Sequence, residues 1–168
     1  MSGIIKATNL EVTTIKDKTN TNTAISIDTS GRVTQPQLVA WNVSRNATMS
    51  SSGDVTYNSS HINVGTCVNI STGVFTAPVA GTYYISFMCI GVSGANNADV
   101  FLYLNGSKDV TGISMRPSNQ NTNEGYSTNS SASSIITLSA NDAVKFNSTG
   151  ALYSDGNNWV RFSGFLIG

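Results

Sequence analysis

The stretch Phe75-Thr-Ala-Pro78-Val-Ala-Gly81-Thr-Tyr83-Tyr-Ile85-Ser-Phe87 decides the fold. Its first half contains Pro78 and Gly81, residues that favour a turn because of their backbone geometry. Its second half is rich in aromatic and β-branched residues, which fit the pleated and half-buried surface of a strand. The stretch therefore predicts a turn that leads into a buried β-strand, and it indicates a β-protein.

Composition favours the same class. About a quarter of the 168 residues are Ser or Thr, and only 11% are charged. Such chains favour strands and polar turns over helices. The length suits one domain with a short appendage. The formal net charge is zero and the sequence has no Lys/Arg cluster, so we expect no binding to nucleic acid.

Residues 1–36 differ from the rest of the chain. Their apolar residues form short groups between polar residues, which is too little apolar surface for a core. Short strands of this kind become stable only when they pack against copies of themselves or against another protein. We predict an N-terminal anchor or stalk over 1–36 and a head over 37–168. With neither a signal-peptide pattern nor a long apolar run, we expect no secretion and no membrane insertion.

The head contains short β-like segments separated by turn residues. A first strand is predicted over 37–43, and further strands over 55–57, 62–64, 67–70, 74–76, 81–90, 98–104, 111–115, 133–138, 143–147 and 158–167. Turns are predicted at Asn105-Gly106, Asn141-Asp142 and Asp155-Gly156. The polar segment 115–134 is predicted to be a surface loop. Its candidate receptor contacts are Asn119, Asn121, Asn123 and Tyr126.

A set of residues follows the spacing of a known β-domain pattern: Tyr57, Asn63, Val68, Phe75, Gly81 and Tyr83. Segments 102–106, 138–144 and 162–167 fit later parts of it, although Asn141 stands where the pattern has Gly. Over about 130 residues the chain resembles the globular head of complement component 1q. That resemblance implies an all-β, ten-stranded jelly-roll sandwich, of the type shared with the tumour necrosis factor superfamily, and assembly as a homotrimer.

The strand over 81–90 places apolar side chains on both of its faces. An antiparallel sandwich normally exposes one face of each sheet to water, so two apolar faces indicate that something covers the outer one. Partner chains of a trimer are the first interpretation, and a covering loop of the same chain, such as 115–134, is the alternative. The predicted trimer-interface or core residues are Tyr83, Ile85, Phe87, Phe101, Tyr103, Phe162 and Phe165.

The sequence predicts no catalytic, cofactor-binding or metal-binding residues, and therefore no enzyme. The single His61 lacks a nearby nucleophile motif or metal-spaced partner, and the carboxylates are dispersed. Cys67 and Cys89 are predicted to be buried thiols, with a disulfide as the alternative. Trp41 and Trp159 are predicted to be core residues, with stacking on a sugar ring as the alternative.

Residues 1–36 also resemble N-terminal segments of bacteriophage fibre and virion proteins. The first functional interpretation is therefore a trimeric virion structural protein, serving as tail fibre, tip or capsid decoration. It would be made in the host cytoplasm and bind other virion proteins through residues 1–36. Its adhesive head would bind a host-surface glycan or protein. The alternatives are a soluble lectin or defence protein similar to component 1q, and a depolymerase whose active site is shared between chains.

Overall fold

The computed structural model describes residues 13–16, 23–34, 38–92, 98–108, 113–117 and 126–168. The chain separates into two compact units, Met1–Leu38 and Val39–Gly168. We call the second unit the head. In the described part of the chain all regular elements are β-strands, and every strand pair is antiparallel.

Fifteen strands form within the described residues. In chain order they are β1 (Thr14–Lys16), β2 (Thr23–Ile27), β3 (Val33–Thr34), β4 (Ala40–Met49), β5 (Gly53–Asp54), β6 (Ser59–Val64), β7 (Val68–Asn69), β8 (Val74–Thr76), β9 (Gly81–Val92), β10 (Val100–Leu104), β11 (Ser107–Lys108), β12 (Ser114–Met115), β13 (Tyr126–Leu138), β14 (Ala143–Ser148) and β15 (Leu152–Leu166).

The head is a sandwich of two sheets. One sheet has the strand order β13-β9-β15-β4-β6, and we call it the five-stranded sheet. The other has the order β11-β10-β14-β8-β7, with β12 paired to β10 and β5 paired to β14, and we call it the seven-stranded sheet. The first unit contains a separate sheet of the order β1-β2-β3.

Aromatic side chains from the two sheets meet in the core of the head. Phe87 of β9 stacks on Phe146 of β14 with 4.2 Å between ring centroids. Trp41 of β4 stacks on Phe75 of β8 at 4.1 Å. Each large aromatic side chain of this kind removes a large apolar area from water on folding. The sandwich is therefore held together by one continuous hydrophobic core, in which these aromatic rings lie among aliphatic side chains.

Asn63 fixes the path of the chain between β6 and β7. Its Nδ2 donates to the backbone oxygen of Val68 at 2.9 Å, and its Oδ1 accepts from the Val68 N–H at 3.0 Å. One amide side chain therefore pairs both backbone groups of a buried residue that would otherwise lack partners. This explains why an amide precedes Val68 by five residues in the sequence pattern.

Most predicted strands are present, with shifted ends. The prediction for 55–57 was wrong, because the paired residues are those of β5, two positions earlier. Val55 and Tyr57 still bury their side chains, and their N–H groups donate to Phe146 and Ile70. Hydrogen bonds to two different neighbours do not form a continuous ladder. The Asn105-Gly106 turn is confirmed, with φ values of 50° and 82° in the two-residue link from β10 to β11.

The predicted surface loop over 115–134 was wrong for residues 126–134, which belong to β13. This strand lies at the edge of the five-stranded sheet and pairs with β9 along most of its length. Pairing uses backbone groups, so a serine-rich segment joins a sheet when its neighbour supplies the apolar side chains. Asn119, Asn121 and Asn123 lie outside the described residues, and Tyr126 begins β13.

Candidate functional site

The outer face of the five-stranded sheet carries a row of apolar side chains. The strand register aligns one residue from each strand: Ile135, Tyr84, Phe165, Ala40 and Val64. We call these five residues the apolar row. Ile135 is 63% exposed, Phe165 46% and Val64 43%. The rings of Tyr84 and Phe165 lie 5.4 Å apart. The row therefore forms one continuous apolar strip across the whole sheet.

Alternation along the strands produces this row. In β9 the side chains of Tyr83, Ile85 and Phe87 point into the sandwich and are fully buried. Tyr84 lies between them in sequence and points to the opposite face, where it is half-buried. The next register row on that face is mostly polar: Ser133, Ser86, Ser163, Asn42 and Ile62. The exposed apolar residues are thus concentrated rather than scattered.

The outer face of the seven-stranded sheet is charged. Lys145 Nζ lies 2.5 Å from Asp54 Oδ2, and Lys108 Nζ lies 3.2 Å from the centroid of the Phe101 ring. Hydrogen bonds from Lys145 and Asn147 lower the pKa of the Asp54 carboxyl group. Charged and hydrated groups of this kind are typical of a face in water.

Asp99 and Arg116 lie beside Phe101 in a cleft of about 290 Å³. The guanidinium group donates from Nε and Nη2 to the two carboxylate oxygens at 2.5 and 2.7 Å. The side-chain hydrogen bonds of Arg116 lower the pKa of Asp99. The two charges are thus paired with each other, so these two residues offer no free charge in the cleft.

The predicted interface or core residues fall into two groups. Tyr83, Ile85, Phe87 and Phe162 are fully buried inside the sandwich. Phe101 and Tyr103 are half-buried on the seven-stranded sheet, and Phe165 is exposed on the five-stranded sheet. The structure does not bring these seven residues together on one surface. Their contact with a partner chain stays a prediction.

The single histidine belongs to a polar network on the outer face of the five-stranded sheet. His61 Nε2 lies 2.8 Å from Ser44 Oγ, and that hydroxyl donates to Asn158 Oδ1 at 2.9 Å. A Ser–His distance of this size is also found in hydrolases. Here Ser44 is fully buried and its proton is held by Asn158. The hydroxyl therefore accepts from His61 and links three strands.

A second cleft lies where β15 departs from regular pairing. It has a volume of about 180 Å³ and is lined by Ile90, Tyr153, Asp155 and Trp159. Trp159 Nε1 donates to Asp155 Oδ1 at 2.9 Å. Desolvation acts against ionisation of Asp155, but hydrogen bonds from Asn157 and Trp159 outweigh it and lower its pKa. We call this the Trp159 cleft.

The core prediction was correct for Trp41, which is 2% exposed, and wrong for Trp159, which is 36% exposed. The physical reason is local. Gly156 and Asn158 have φ values of 97° and 58°, so the chain loops out after Asp155 and the regular alternation of β15 is interrupted. The sequence pattern does not predict the cleft, and its only signal is the Asp155-Gly156 turn, which begins four residues before Trp159.

Cys67 and Cys89 are free and buried, as predicted. Burial raises the pKa of Cys67 to about 11 and that of Cys89 to about 12, so both thiols are protonated and unreactive in the folded head. Within the described residues, His, Cys, Asp and Glu side chains form no group of three that is spaced to hold a metal ion. The described part of the chain also contains no helix that could cross a membrane.

Comparisons with known proteins identify relatives of the head. Complement C1q tumor necrosis factor-related protein 3 of Mus musculus is 29% identical over 114 residues, and so is the Homo sapiens protein. Each alignment covers 67% of this chain, but only 44% of the relative's own length. The solved globular domain of zebrafish complement 1qA protein is similar with a TM-score of 0.58 and 23% identity. That match covers 77% of this chain and 98% of the zebrafish chain.

These findings confirm the predicted jelly-roll fold of complement-1q and tumour-necrosis-factor type. They give no support to the resemblance of residues 1–36 to bacteriophage fibre proteins. The C1q domain model matches residues 40–167, which includes nearly the whole head. The chain therefore belongs to the C1q domain family.

Proposed function

We propose that the head is a non-catalytic binding module that assembles as a homotrimer through the outer face of its five-stranded sheet. The observation that carries this proposal is the apolar row. An exposed apolar strip that crosses a whole sheet is rare on a monomer and marks an interaction site. Membership of the C1q domain family, whose domains typically form trimers, supports a homotrimer as the partner arrangement.

The contrast between the two outer faces supports the five-stranded sheet as the interface. Ion pairs and a cation–π contact cover the seven-stranded sheet, and burying them against another chain would cost desolvation free energy. The apolar row carries no such cost, and each copy would bury Ile135 and Phe165 against the next. In this proposal Phe165 is an interface residue, Tyr83, Ile85, Phe87 and Phe162 are core residues, and Phe101 and Tyr103 face solvent.

A binding role fits the chemistry of the head better than catalysis does. Ser44 is the one described serine at hydrogen-bond distance from His61, and its proton is already committed to Asn158. A nucleophile needs its proton to pass to the base. Since this serine donates away from His61, the network supports the sheet rather than a reaction.

The relatives favour the second functional interpretation, a protein similar to complement component 1q, over the virion protein. The chain spans less than half the length of these relatives, so it corresponds to one part of them. We therefore propose that the head presents a ligand-binding surface. Attachment to a particle through residues 1–36, a virion location and receptor contacts around Asn119–Tyr126 stay predictions of the sequence alone.

Charge substitutions on the two outer faces test the proposed interface. We expect the double variant Ile135→Glu/Phe165→Glu to be a folded monomer in light scattering coupled to size exclusion. Both side chains are exposed in one chain, so folding should be retained, as checked by circular dichroism. The matched control is Phe101→Glu on the seven-stranded sheet, which should remain a trimer. A monomeric Phe101→Glu variant together with a trimeric double variant would contradict the proposal, because the interface would then lie on the seven-stranded sheet.

A further inference from the structure

We propose that the Trp159 cleft binds a methylated ammonium group, such as the trimethylammonium group of choline. This inference rests on side chains outside the apolar row, although Ile90 of β9 lies on the same outer face of the five-stranded sheet as Tyr84. The cleft combines an exposed indole with a carboxylate that no described cation neutralises.

The walls of the cleft suit a cation with an apolar surface. Trp159, Tyr153 and Ile90 supply aromatic and aliphatic walls. The face of an aromatic ring attracts a positive charge through its quadrupole, and Trp does so most strongly. The volume of about 180 Å³ equals roughly six water molecules, which is enough for a nitrogen with its methyl groups.

The Asp155 carboxylate supplies the charge. Its Oδ1 accepts from Trp159 Nε1 at 2.9 Å and from Asn157 Nδ2 at 2.8 Å. Within the described residues, Oδ2 has no hydrogen-bond donor and Asp155 makes no ion pair. The indole N–H lies in the plane of its ring, so the bond to Oδ1 holds the ring edge and does not occupy the ring faces.

Charge complementarity selects the ligand class among the possible occupants. A neutral apolar ligand, or the apolar surface of another chain, would remove water from the free oxygen of Asp155 without returning a positive charge. A primary ammonium ion would return the charge but would first have to lose its strong hydration. A methylated ammonium ion has weaker hydration, apolar methyl groups and the required charge, and it therefore matches all three walls and the carboxylate.

Titration of the full chain with choline chloride tests this proposal. The protein has two Trp residues, and Trp41 is buried, so a change in fluorescence reports chiefly on Trp159. We expect saturable binding of choline, and at least tenfold weaker binding of 3,3-dimethylbutan-1-ol, its uncharged carbon analogue. Vesicles of phosphatidylcholine form a separate arm. Binding to these vesicles would show that the methylated ammonium group can belong to a lipid headgroup. Binding of free choline alone would show that the ligand is a soluble molecule.

Three variants complete the test, with binding followed by calorimetry. Asp155→Asn retains an oxygen for the Trp159 N–H and should weaken choline binding about tenfold. Trp159→Leu should abolish binding, and the control Asp99→Asn, whose carboxylate is paired with Arg116, should leave it unchanged. The monomeric interface variant should still bind choline, which separates the two proposals. Equal binding of choline and its neutral analogue, or no saturable binding up to about 50 mM, would overturn the inference.

Discussion

At the scale of single residues, Tyr57 and Tyr83 are two buried tyrosines whose hydroxyl groups differ in hydrogen bonding. Both lie in the core, and the Tyr83 hydroxyl donates to the Val79 oxygen at 2.6 Å. The Tyr57 hydroxyl is buried with no hydrogen-bond partner in the described part of the chain. Burial raises the pKa of Tyr57 well above its usual range, because a phenolate there would lie among apolar side chains.

Replacing each tyrosine with Phe should therefore give opposite results. Tyr57→Phe removes an unpaired buried hydroxyl and should raise the free energy of unfolding by up to about 1 kcal/mol. Tyr83→Phe removes a hydrogen bond and leaves the Val79 carbonyl without its donor, which should lower that free energy by about 1 kcal/mol. Urea denaturation measures both changes. A similar loss in the two variants would show that the Tyr57 hydroxyl has a partner.

The sequence predicts residue environments well where alternation is regular. Tyr83, Ile85 and Phe87 were placed on one face of a strand, and the structure buries all three. It predicts them poorly where the backbone departs from regular geometry. The exposure of Trp159 depends on the positive φ of Gly156 and Asn158, and periodicity carries no information about such a loop.

At the scale of elements, β15 lies between β4 and β9 and passes a point where no side chain fits. A Cβ atom at Gly164 would collide with the Trp41 ring and with the backbone oxygen of Tyr84. Gly164 lies between two strands and has backbone neighbours on both sides. The strand therefore cannot move away without breaking its own ladder.

The substitution Gly164→Ala should accordingly lower the free energy of unfolding by about 2 kcal/mol or more, because the added methyl group overpacks the site. Gly168→Ala is the control, since a Cβ there meets nothing within 4 Å. Thermal unfolding of the two variants measures the difference. Equal melting temperatures would mean that Trp41 has space to move, and that close packing at Gly164 does not hold β15 against β4.

The sequence predicts some strands better than others, and the reason is physical. The strand around Tyr83 can be predicted from the regular spacing of its apolar residues. In β13, by contrast, exposed positions are mostly Ser or Thr and only the last residues are strongly apolar. Its strand conformation comes from pairing with β9, which is a tertiary contact. Local propensity does not report such contacts, so the sequence predicts a loop over residues 126–132 and a strand only from 133 onward.

At the scale of the whole molecule, the two outer faces of the sandwich have different chemistry. The five-stranded sheet presents the apolar row, whereas the seven-stranded sheet presents paired charges. The sequence predicted that an apolar outer face needs a cover. It did not predict which residues form that face, because the row depends on the register of five strands that are distant in sequence. The structure supplies that register.

Sedimentation equilibrium of the full chain, at several protein concentrations, tests the central claim most directly. A homotrimer has a mass of about 53 kDa, three times the 17.7 kDa of one chain. We predict a single species of that mass at micromolar concentration, since burying the apolar row on three chains should give a stable assembly. A mass of 17.7 kDa at all concentrations would contradict the account, because the exposed residues of the apolar row would then remain in water.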